Sequence, residues 1–434
     1  MHRYRKILKT VLILYVVSQI LFLINIQFPR GLNFDEFHYV PSAKQYLSGQ
    51  ENQNWEHPPL GKLIMAVGIG LFGDQPLGWR VMSTVFGSLT LVGTYLWALA
   101  LFSEAGLALW VALLTLFNHL LYVQARIGML DTFMMAFIVW ALAAFTASFN
   151  VERSLQSTKR LLLFAGAMFG LGVGCKWFTV IPWWSCLLLV IVVRLLQSWQ
   201  MQFAEAKVTD WYLPEQWRGV KWTDWFVYLG IVPVIFYFLT FIPMFTIQKP
   251  PIGLWDLFSM QAKMFDGQLR VVNSHPYMSG WADWPLMKRP IWYAFDKESG
   301  LPESVRGVIL LGNPLIMWSG LLALLVALWG WIIDRRRDAF LVLFFYVAFF
   351  SSWVLIPRKV AFYYYYYPAG MSLSLALAYV FLRIEKRFMP RWNWPRWTFL
   401  ALSAALFIYF FPVLAALKIP ADSFRKWMWF SSWV

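Results

Sequence analysis

Apolar stretches of about 20 residues recur along nearly the whole chain, and they constrain its fold more than any other feature. A helix of that length crosses the hydrocarbon core of a bilayer because it satisfies its own backbone hydrogen bonds. The sequence is 60% hydrophobic and only 14% charged, and its longest polar interval, roughly 249–305, is too short to form a core of its own. The pattern predicts an all-α polytopic membrane protein folded as one domain, with an N-terminal part (1–248), a large outer loop and a C-terminal part (306–434).

Hydropathy predicts about eleven transmembrane helices. They lie at about 8–28, 80–102, 105–121, 129–149, 161–175, 178–197, 223–247, 306–332, 339–356, 361–382 and 397–417. The first is long for a signal peptide and has no small-residue cleavage site, so we expect it to be retained. Juxtamembrane helices are expected in the first and the large outer loops. In the first loop, apolar residues from Phe37 to Leu47 have roughly helical spacing, which suits a helix lying flat on the membrane surface.

The net charge of +15 comes from basic residues in short loops between spans, a pattern typical of membrane orientation and not of nucleic-acid binding. Arginine and lysine cluster at 153–160, 335–337 and 383–396, which would lie on one side of the membrane together with the basic N-terminus. The positive-inside rule therefore predicts a cytoplasmic N-terminus and an outer C-terminus in a plasma or inner membrane.

Further charged side chains gather at the predicted outer ends of the spans. They are Asp35, His57, Lys62, Arg80, Arg126, Asp131, Lys176, His275, Arg358 and Lys359. A charge within a span costs about 2.5–3.5 kcal/mol, so such residues usually face a cavity or a partner. Each alone could also be a snorkelling residue at the interface. Their grouping on one side predicts a charge-lined cavity there.

Two loops supply most of the groups with useful chemistry. The first, 31–62, begins with adjacent carboxylates at Asp35 and Glu36 and ends in the rigid sequence EHPPLGK, so we interpret it as half of an active site. The second contains His275, Tyr277 and Trp281 among prolines and aromatic residues. It is either an interfacial aromatic belt or a lid over the cavity mouth. Five consecutive tyrosines, 363–367, place hydroxyls all round a helix near its outer end, so at least some must face protein or water, although an aromatic girdle is the default interpretation.

The sequence has no Gly-rich phosphate loop, Cys/His metal set or Asp-x-Asp motif, and its two cysteines lie in apolar helices. No cofactor is firmly implied, and a divalent metal stays open. An outward-facing site has no nucleotide triphosphates, so a polyprenyl-phosphate sugar delivered through the bilayer fits as the donor. Transfer would need a carboxylate to deprotonate a hydroxyl, for which Asp35 is the candidate. It would also need cations for the leaving phosphate, with candidates Arg80, Lys62, Lys176, Arg126 and Arg358.

Motifs across almost the whole chain carry a specific resemblance. They are Asp35-Glu36, HPPLGK at 57–62, GWRVMSTVFGSLT at 78–90, ARIGMLD at 125–131, GCKW at 174–177, NSHPYMSGWADWPLMKRPIWY at 273–293, LGNPLIMW at 311–318 and the tyrosine run after Arg358. In these residues the chain resembles bacterial protein O-mannosyltransferases that use dolichyl-phosphate mannose.

The resemblance implies a GT-C fold and inverting transfer of mannose from a lipid phosphate to Ser or Thr hydroxyls of translocating proteins, with the secretion machinery as a further candidate partner. It implies that Asp35 is the catalytic base, that Glu36 positions the acceptor and that Arg80 serves the donor phosphate. We assign His57, Lys62, Arg126, Asp131, Lys176 and Arg358 to donor binding, and His275, Tyr277 and Trp281 to the acceptor side or lid.

Two other functions fit parts of the pattern. A related lipid-phosphate-sugar transferase acting on lipid A or a cell-wall glycan would also carry an aspartate in its first loop, although the HPPLGK and NSHPY blocks argue against it. A transporter or lipid flippase would need charges near the bilayer midplane and usually repeat symmetry. The sequence instead places its charges at one face.

Overall fold

Helices make up most of the chain in the computed structural model, which describes residues 2–202, 216–247, 249–270, 275–297, 304–356, 358–388 and 393–434. The first half contains α1 (His2–Leu23), α2 (Glu36–Leu47), α3 (Leu60–Phe72), α4 (Pro76–Phe102), α5 (Ala105–Phe117), α6 (His119–Gln124), α7 (Leu130–Ala147), α8 (Leu155–Cys175) and α9 (Val180–Gln202). The second half contains α10 (Trp222–Trp225), a π-helical turn (Phe226–Ile231), α11 (Val232–Leu239), α12 (Asp256–Leu269), α13 (Pro314–Ile332), α14 (Arg337–Leu355), α15 (Tyr367–Phe388) and α16 (Trp394–Leu414).

Ten helical segments among the described residues are long and apolar enough to cross a membrane, and the chain is a multi-pass membrane protein. The remaining predicted span, 105–121, is formed by two shorter helices, α5 and α6. They meet at Asn118, and the side chain of this residue caps α6. The span predicted at 306–332 begins too early, because α13 starts only at Pro314. The residues before it form a strand.

Successive spans bring the loops to two opposite ends of the helix bundle. At one end, the start of α1 lies beside Ser103, Arg153 and Arg335 around a common cavity. We call this the basic end. At the other end, which we call the loop end, the side chain of Arg126 contacts the backbone at the end of α1. The predicted grouping of the connectors on two sides is therefore confirmed.

Three short helices lie in the two long loops of the loop end, as predicted. In the first loop, α2 packs against α3 and buries Tyr39, Val40 and Ala43, while Phe37 stays 61% exposed. The prediction of a helix here is confirmed, but the helix has one face packed on protein and does not simply lie flat on a membrane. In the large loop, α12 packs on a small apolar cluster around Phe241 and Met244.

A small antiparallel sheet, which the sequence analysis missed, also lies at the loop end. Strand β1 (Ile291–Lys297) pairs with β2 (Ser304–Leu310), and β2 pairs with the two-residue strand β3 (Ile419–Pro420). The register shifts between Trp292 and Ala294, which marks an irregularity in β1. The sheet joins the large loop of the loop end to the segment that follows α16.

The tyrosine run is not an aromatic girdle. Tyr363 to Tyr366 form a 3₁₀ turn, Tyr367 begins α15, and all five side chains are buried. Side chains three residues apart eclipse each other in a 3₁₀ helix, so Tyr363 and Tyr366 share one face while Tyr364 and Tyr365 point elsewhere. The run therefore belongs to the protein core at the loop end.

Close packing of α8 against the π-helical turn and α11 depends on small residues. Gly166, Gly170 and Gly174 recur every four residues along one face of α8. A Cβ atom at Gly166 would lie 1.9 Å from the carbonyl oxygen of Tyr228, and one at Gly170 would lie 2.3 Å from that of Pro233. Small residues at this spacing let two membrane helices approach at backbone distance.

We expect Gly166→Ala to destabilise the protein by about 1–3 kcal/mol, because its methyl group would meet a backbone carbonyl that cannot rotate away. Gly106→Ala is the matched control, since a Cβ atom there would have its nearest neighbour at an ordinary distance of 3.6 Å. Thermal unfolding of both purified variants in detergent tests this expectation. Equal melting temperatures for the two variants would contradict the proposed close approach.

Candidate active site

Asp35 lies at the loop end, immediately before the first turn of α2. The hydroxyl of Tyr39, one turn later, donates to its Oδ2 at 3.3 Å. Burial raises the pKa of Asp35, the positive charge of Lys176 opposes this shift, and the negative charge of Asp131 adds to it. A carboxylate with a raised pKa is a stronger base, which suits Asp35 to accept a proton.

Lys176 and Asp131 form a buried ion pair beside Asp35. Lys176 directly follows α8, Asp131 lies in the first turn of α7, and the ammonium nitrogen is 2.9 and 2.8 Å from the two carboxylate oxygens. The same nitrogen lies 4.9 Å from the ring centroid of Tyr364 and 5.3 Å from that of Tyr365. The pair and the two rings fix the position of a positive charge in the site.

Arg358 and His57 add two further basic groups. The guanidinium of Arg358 lies 5.1 Å from the ring centroid of Tyr365, and its Nε donates to the carbonyl oxygen of Val360 at 3.0 Å. The imidazole of His57 packs edge-on against Tyr39. Burial lowers the pKa of His57, and the positive charges of Lys176, Lys62 and Arg358 lower it further, so the ring is held neutral. The two ends of the first loop thus meet one cationic patch.

An aromatic wall surrounds these charges. Phe34 packs within 5.1–6.0 Å of the rings of Tyr293, Phe362 and Tyr364. The hydroxyl of Tyr293 donates to the side-chain carbonyl of Gln124 at 3.4 Å. Sequence reasoning did not assign Tyr39, Tyr293 or Tyr364 to the site. For Tyr39 a signal existed, because a residue four positions after Asp35 on a helix faces it.

His275 lies next to this wall, as part of the predicted lid. Its ring packs at 5.6 Å from Phe34 and 5.4 Å from Phe362. The backbone after it is docked on the segment before the tyrosine run, since Met278 pairs with Phe362 and the amide of Ser279 donates to Ala361. Tyr277 packs beside His275, whereas Trp281 lies farther along, 41% exposed and edge-on to Phe350.

Glu36 and Arg80 form a second buried ion pair, and the roles predicted for them, positioning the acceptor and serving the donor phosphate, stay predictions. The Nε and one Nη of Arg80 each lie 2.8 Å from a carboxylate oxygen of Glu36. The backbone amides of Asn33 and Gly128 also donate to that carboxylate. The other guanidinium N–H groups donate to three backbone carbonyls, those of Ile26, Pro29 and Gly31. In this arrangement Arg80 has no donor left for a phosphate, and Glu36, 0% exposed, presents no surface to an acceptor.

Lys62 and Arg126 also contact other parts of the protein, and their predicted role in donor binding stays a prediction. The ammonium of Lys62 is fully buried and donates to the backbone and side-chain oxygens of Asn54 and to the carbonyl of His57. Arg126 donates to the carbonyls of Phe22 and Ile24 and to the hydroxyl of Tyr122. Both residues hold loop-end backbone in place. Further basic groups in or beside the site include Lys176, Arg358, His57, His275 and His38.

No group of three or more His, Cys, Asp or Glu side chains that could hold a metal ion occurs within the described ranges. The site offers side-chain cations, Lys176 and Arg358, to a bound anion. Together with one basic carboxylate and a wall of aromatic rings, they can hold a phosphate and a sugar while a proton is removed from a hydroxyl.

Two family models together match most of the chain. One, described as dolichyl-phosphate-mannose-protein mannosyltransferase, matches residues 12–248. The other, the C-terminal four TMM region of protein-O-mannosyltransferase, matches residues 254–433. The resemblance stated from sequence motifs is thereby confirmed.

Individual relatives agree with these matches. Polyprenol-phosphate-mannose–protein mannosyltransferases of Mycolicibacterium smegmatis and Corynebacterium glutamicum are 25% and 27% identical to the chain, and each alignment covers 92% of it and 87% or 88% of the relative. Among solved structures, the S. cerevisiae Pmt1-Pmt2 complex matches with a TM-score of 0.79 at 15% identity, over 99% of this chain and 93% of that one. ArnT from Cupriavidus metallidurans matches with a TM-score of 0.60 at 17% identity, over 94% and 65%. These likenesses confirm the predicted GT-C fold.

We expect Arg80→Ala to destabilise the folded protein by about 3–5 kcal/mol, because it leaves the buried Glu36 carboxylate without its partner. Arg270→Ala is the control, since Arg270 pairs with Asp266 on the surface, where such a pair contributes about 0–1 kcal/mol. Thermal unfolding without any donor measures both. A variant with unchanged stability that binds the lipid donor poorly would restore the phosphate role predicted from sequence.

Proposed function

The chain belongs to the dolichyl-phosphate-mannose-protein mannosyltransferase family, and we propose that it transfers mannose from a polyprenyl-phosphate-mannose donor to Ser and Thr hydroxyls of proteins. One observation carries this proposal most directly. Asp35, a carboxylate with a raised pKa, lies beside a fixed cation, Lys176, among aromatic side chains. That arrangement supplies both a base and a partner for a phosphate leaving group.

The proposed reaction is a single displacement that inverts the anomeric carbon. The acceptor oxygen attacks C1 of mannose, and the bond from C1 to the phosphate oxygen breaks. The lipid phosphate leaves with the bonding electron pair, while Asp35 takes the proton of the attacking hydroxyl. Tyr39 holds the Asp35 carboxylate through its hydrogen bond, so the base keeps one orientation.

Lys176 and Arg358 are the proposed ligands of the departing phosphate. Both lie against the ring of Tyr365, so their charges converge on one place. Arginine is suited to a bidentate phosphate contact, and the guanidinium of Arg358 shows no bond from its terminal amino groups to other described residues. His57, kept neutral, is proposed to hydrogen-bond the donor at this patch.

The segment from His275 to Trp281 is proposed to cover the acceptor side of the site. The ring contacts of His275 with Phe34 and Phe362 place this segment against the wall that also contains Tyr364. A polypeptide acceptor would enter between this segment and α2. Because such an acceptor would be a protein passing through the membrane, we propose the secretion machinery as a partner.

We further propose that the protein resides in the plasma or inner membrane, with the loop end outside and the basic end in the cytoplasm. The basic residues at the N-terminus and at 335–337 support this orientation through the positive-inside rule. A donor that carries its own activated phosphate removes any need for nucleotides at the outer face. Transfer assayed with and without a chelator decides whether a divalent metal takes part.

Asp35→Asn is expected to lower single-turnover transfer by about 10²–10⁴-fold, because the amide keeps the size of the side chain but cannot accept the proton. Donor binding is expected to survive. Since burial raises the pKa of Asp35, wild-type transfer should fall, on acidification, at a higher pH than an exposed aspartate would give. Asp74→Asn, a change at an exposed residue of the same loop, is the control. Near-normal transfer by Asp35→Asn would refute the assignment of the base.

Arg358→Gln is expected to weaken donor binding by roughly 10- to 100-fold, the equivalent of a charge-assisted hydrogen bond of about 1.5–3 kcal/mol. Lys359→Gln removes the same charge from the exposed neighbouring residue and should bind the donor normally. Equilibrium binding of polyprenyl-phosphate mannose to both variants tests the assignment. If both lose affinity equally, the effect is general electrostatic attraction and not a phosphate contact.

The orientation is tested with single cysteines in intact cells. Glu51→Cys, exposed at the loop end, should react with a membrane-impermeant thiol reagent, and Arg218→Cys, exposed in the loop after α9, should not. Both native cysteines, Cys175 and Cys186, are buried and leave the background low. The opposite labelling pattern would invert the proposed topology.

A further inference from the structure

The cavity at the basic end lies far along the helices from Asp35. Its volume is about 1200 Å³, and it lies between the inner parts of α4 and α7, the start of α8 and the start of α14. No residue of the candidate active site lines it, so the proposed transfer reaction gives this space no use. We call it the basic-end cavity. Its lining includes Tyr4, Leu96, Leu99, Trp140, Ala147, Arg153, Leu161, Phe164, Arg335, Arg336, Arg337 and Leu341.

The deeper wall of the basic-end cavity is apolar and reaches the bilayer. Leu99 on α4 and Trp140 on α7 face it from within the bundle, and Phe164 on α8 faces it from the outside. Phe164 is 40% exposed and its neighbour Leu163 is 43% exposed, so this side of a membrane-spanning helix lies against lipid. An acyl chain can therefore enter the cavity sideways without leaving an apolar environment.

Four arginines (Arg153, Arg335, Arg336 and Arg337) and three carboxylates (Glu152, Asp334 and Asp338) line the mouth of the cavity. Asp338 pairs with Arg336 at 2.8 Å, and Asp334 pairs with Arg383, which does not line the cavity. The guanidinium of Arg337 lies 5.1 Å from the ring centroid of Phe149.

Two arginines at the mouth stay available to a ligand. Arg153 donates only its Nε, to the carbonyl oxygen of Ala147 at 3.0 Å, among its bonds to described residues. Arg335 makes no ion pair with any carboxylate in the described part of the chain.

We propose that the basic-end cavity binds an anionic phospholipid, with its phosphate head group at Arg153 and Arg335 and its acyl chains along Leu99, Trp140 and Phe164. The cavity is apolar, opens to the bilayer and has guanidinium groups at its rim. An anionic phospholipid has the matching parts, because it carries an anionic head group on hydrocarbon chains. A free phosphate ion would leave the apolar wall unused, and a neutral phospholipid would leave the arginines with less to bind. The site is independent of the transfer reaction.

Native mass spectrometry of the full-length protein, released from nanodiscs of equal parts phosphatidylglycerol and phosphatidylcholine, tests this proposal. The wild type should retain phosphatidylglycerol in preference to phosphatidylcholine. The double variant Arg153→Gln, Arg335→Gln should lose that preference by roughly 10- to 30-fold, as expected for two basic contacts at a lipid surface. All the side chains changed are exposed, so folding should be preserved.

The matched control is Arg160→Gln, Arg218→Gln, which removes the same charge from exposed residues outside the cavity. It should keep the wild-type preference. Equal losses in the two double variants would show diffuse attraction to the basic end and overturn the proposal, as would an unchanged preference in both. A melting temperature raised as much by millimolar inorganic phosphate as by phosphatidylglycerol would also overturn it, because the site would then bind phosphate without the lipid.

Discussion

The buried pair of Glu36 and Arg80 is the contact on which the loop end depends. It joins residues 44 positions apart in the sequence, and it holds the first loop of the loop end against α4. The guanidinium also donates hydrogen bonds to backbone carbonyls that follow α1. The carboxylate accepts a hydrogen bond from the amide of Gly128, in the turn before α7. Removing either charge would leave the other unpaired in the protein interior, where the free energy of an unpaired ion is high. One pair therefore fixes how three spans meet beneath the site.

This pair explains how two adjacent carboxylates can have opposite uses. Glu36 accepts four hydrogen bonds and is 0% exposed, so its charge is fully compensated. Among the described residues, the carboxylate of Asp35, one residue earlier, accepts a hydrogen bond only from the Tyr39 hydroxyl, and burial raises its pKa. The anchored neighbour holds the backbone of Asp35 in place, while the carboxylate of Asp35, the proposed base, keeps lone pairs for a substrate. The two adjacent residues thus differ in role: Glu36 anchors the backbone, and Asp35 is the proposed base.

The two ends of the bundle use charge differently. At the loop end, cations are enclosed by tyrosine rings, and the 3₁₀ turn of the tyrosine run aims Tyr364 and Tyr365 at Lys176. At the basic end, arginines such as Arg335 stay exposed beside an apolar cavity. A low dielectric strengthens the first arrangement, whereas screening by salt weakens the second. The loop end, where the cations are enclosed, therefore suits a reaction at a bound phosphate better than the basic end does.

By itself, the sequence determined the membrane class, nearly every span, the helix after Asp35 and the side on which the charged residues gather. These features are local, because a helix in a bilayer must satisfy its own backbone hydrogen bonds and a charge must lie near an end. The motif resemblance added the family and singled out Asp35. It could not show which cations were free to act.

Only the tertiary structure decided that question, because a side chain's partner is chosen by residues distant in sequence. Arg80, Lys62 and Arg126 had the charge that a phosphate ligand needs, yet backbone carbonyls and Glu36 occupy them. The small sheet was not predicted from the sequence because it depends on long-range pairing. Strand β2 pairs with β1 and with a strand beyond residue 400. Local patterns fix where a charge can lie, and long-range contacts fix what it binds.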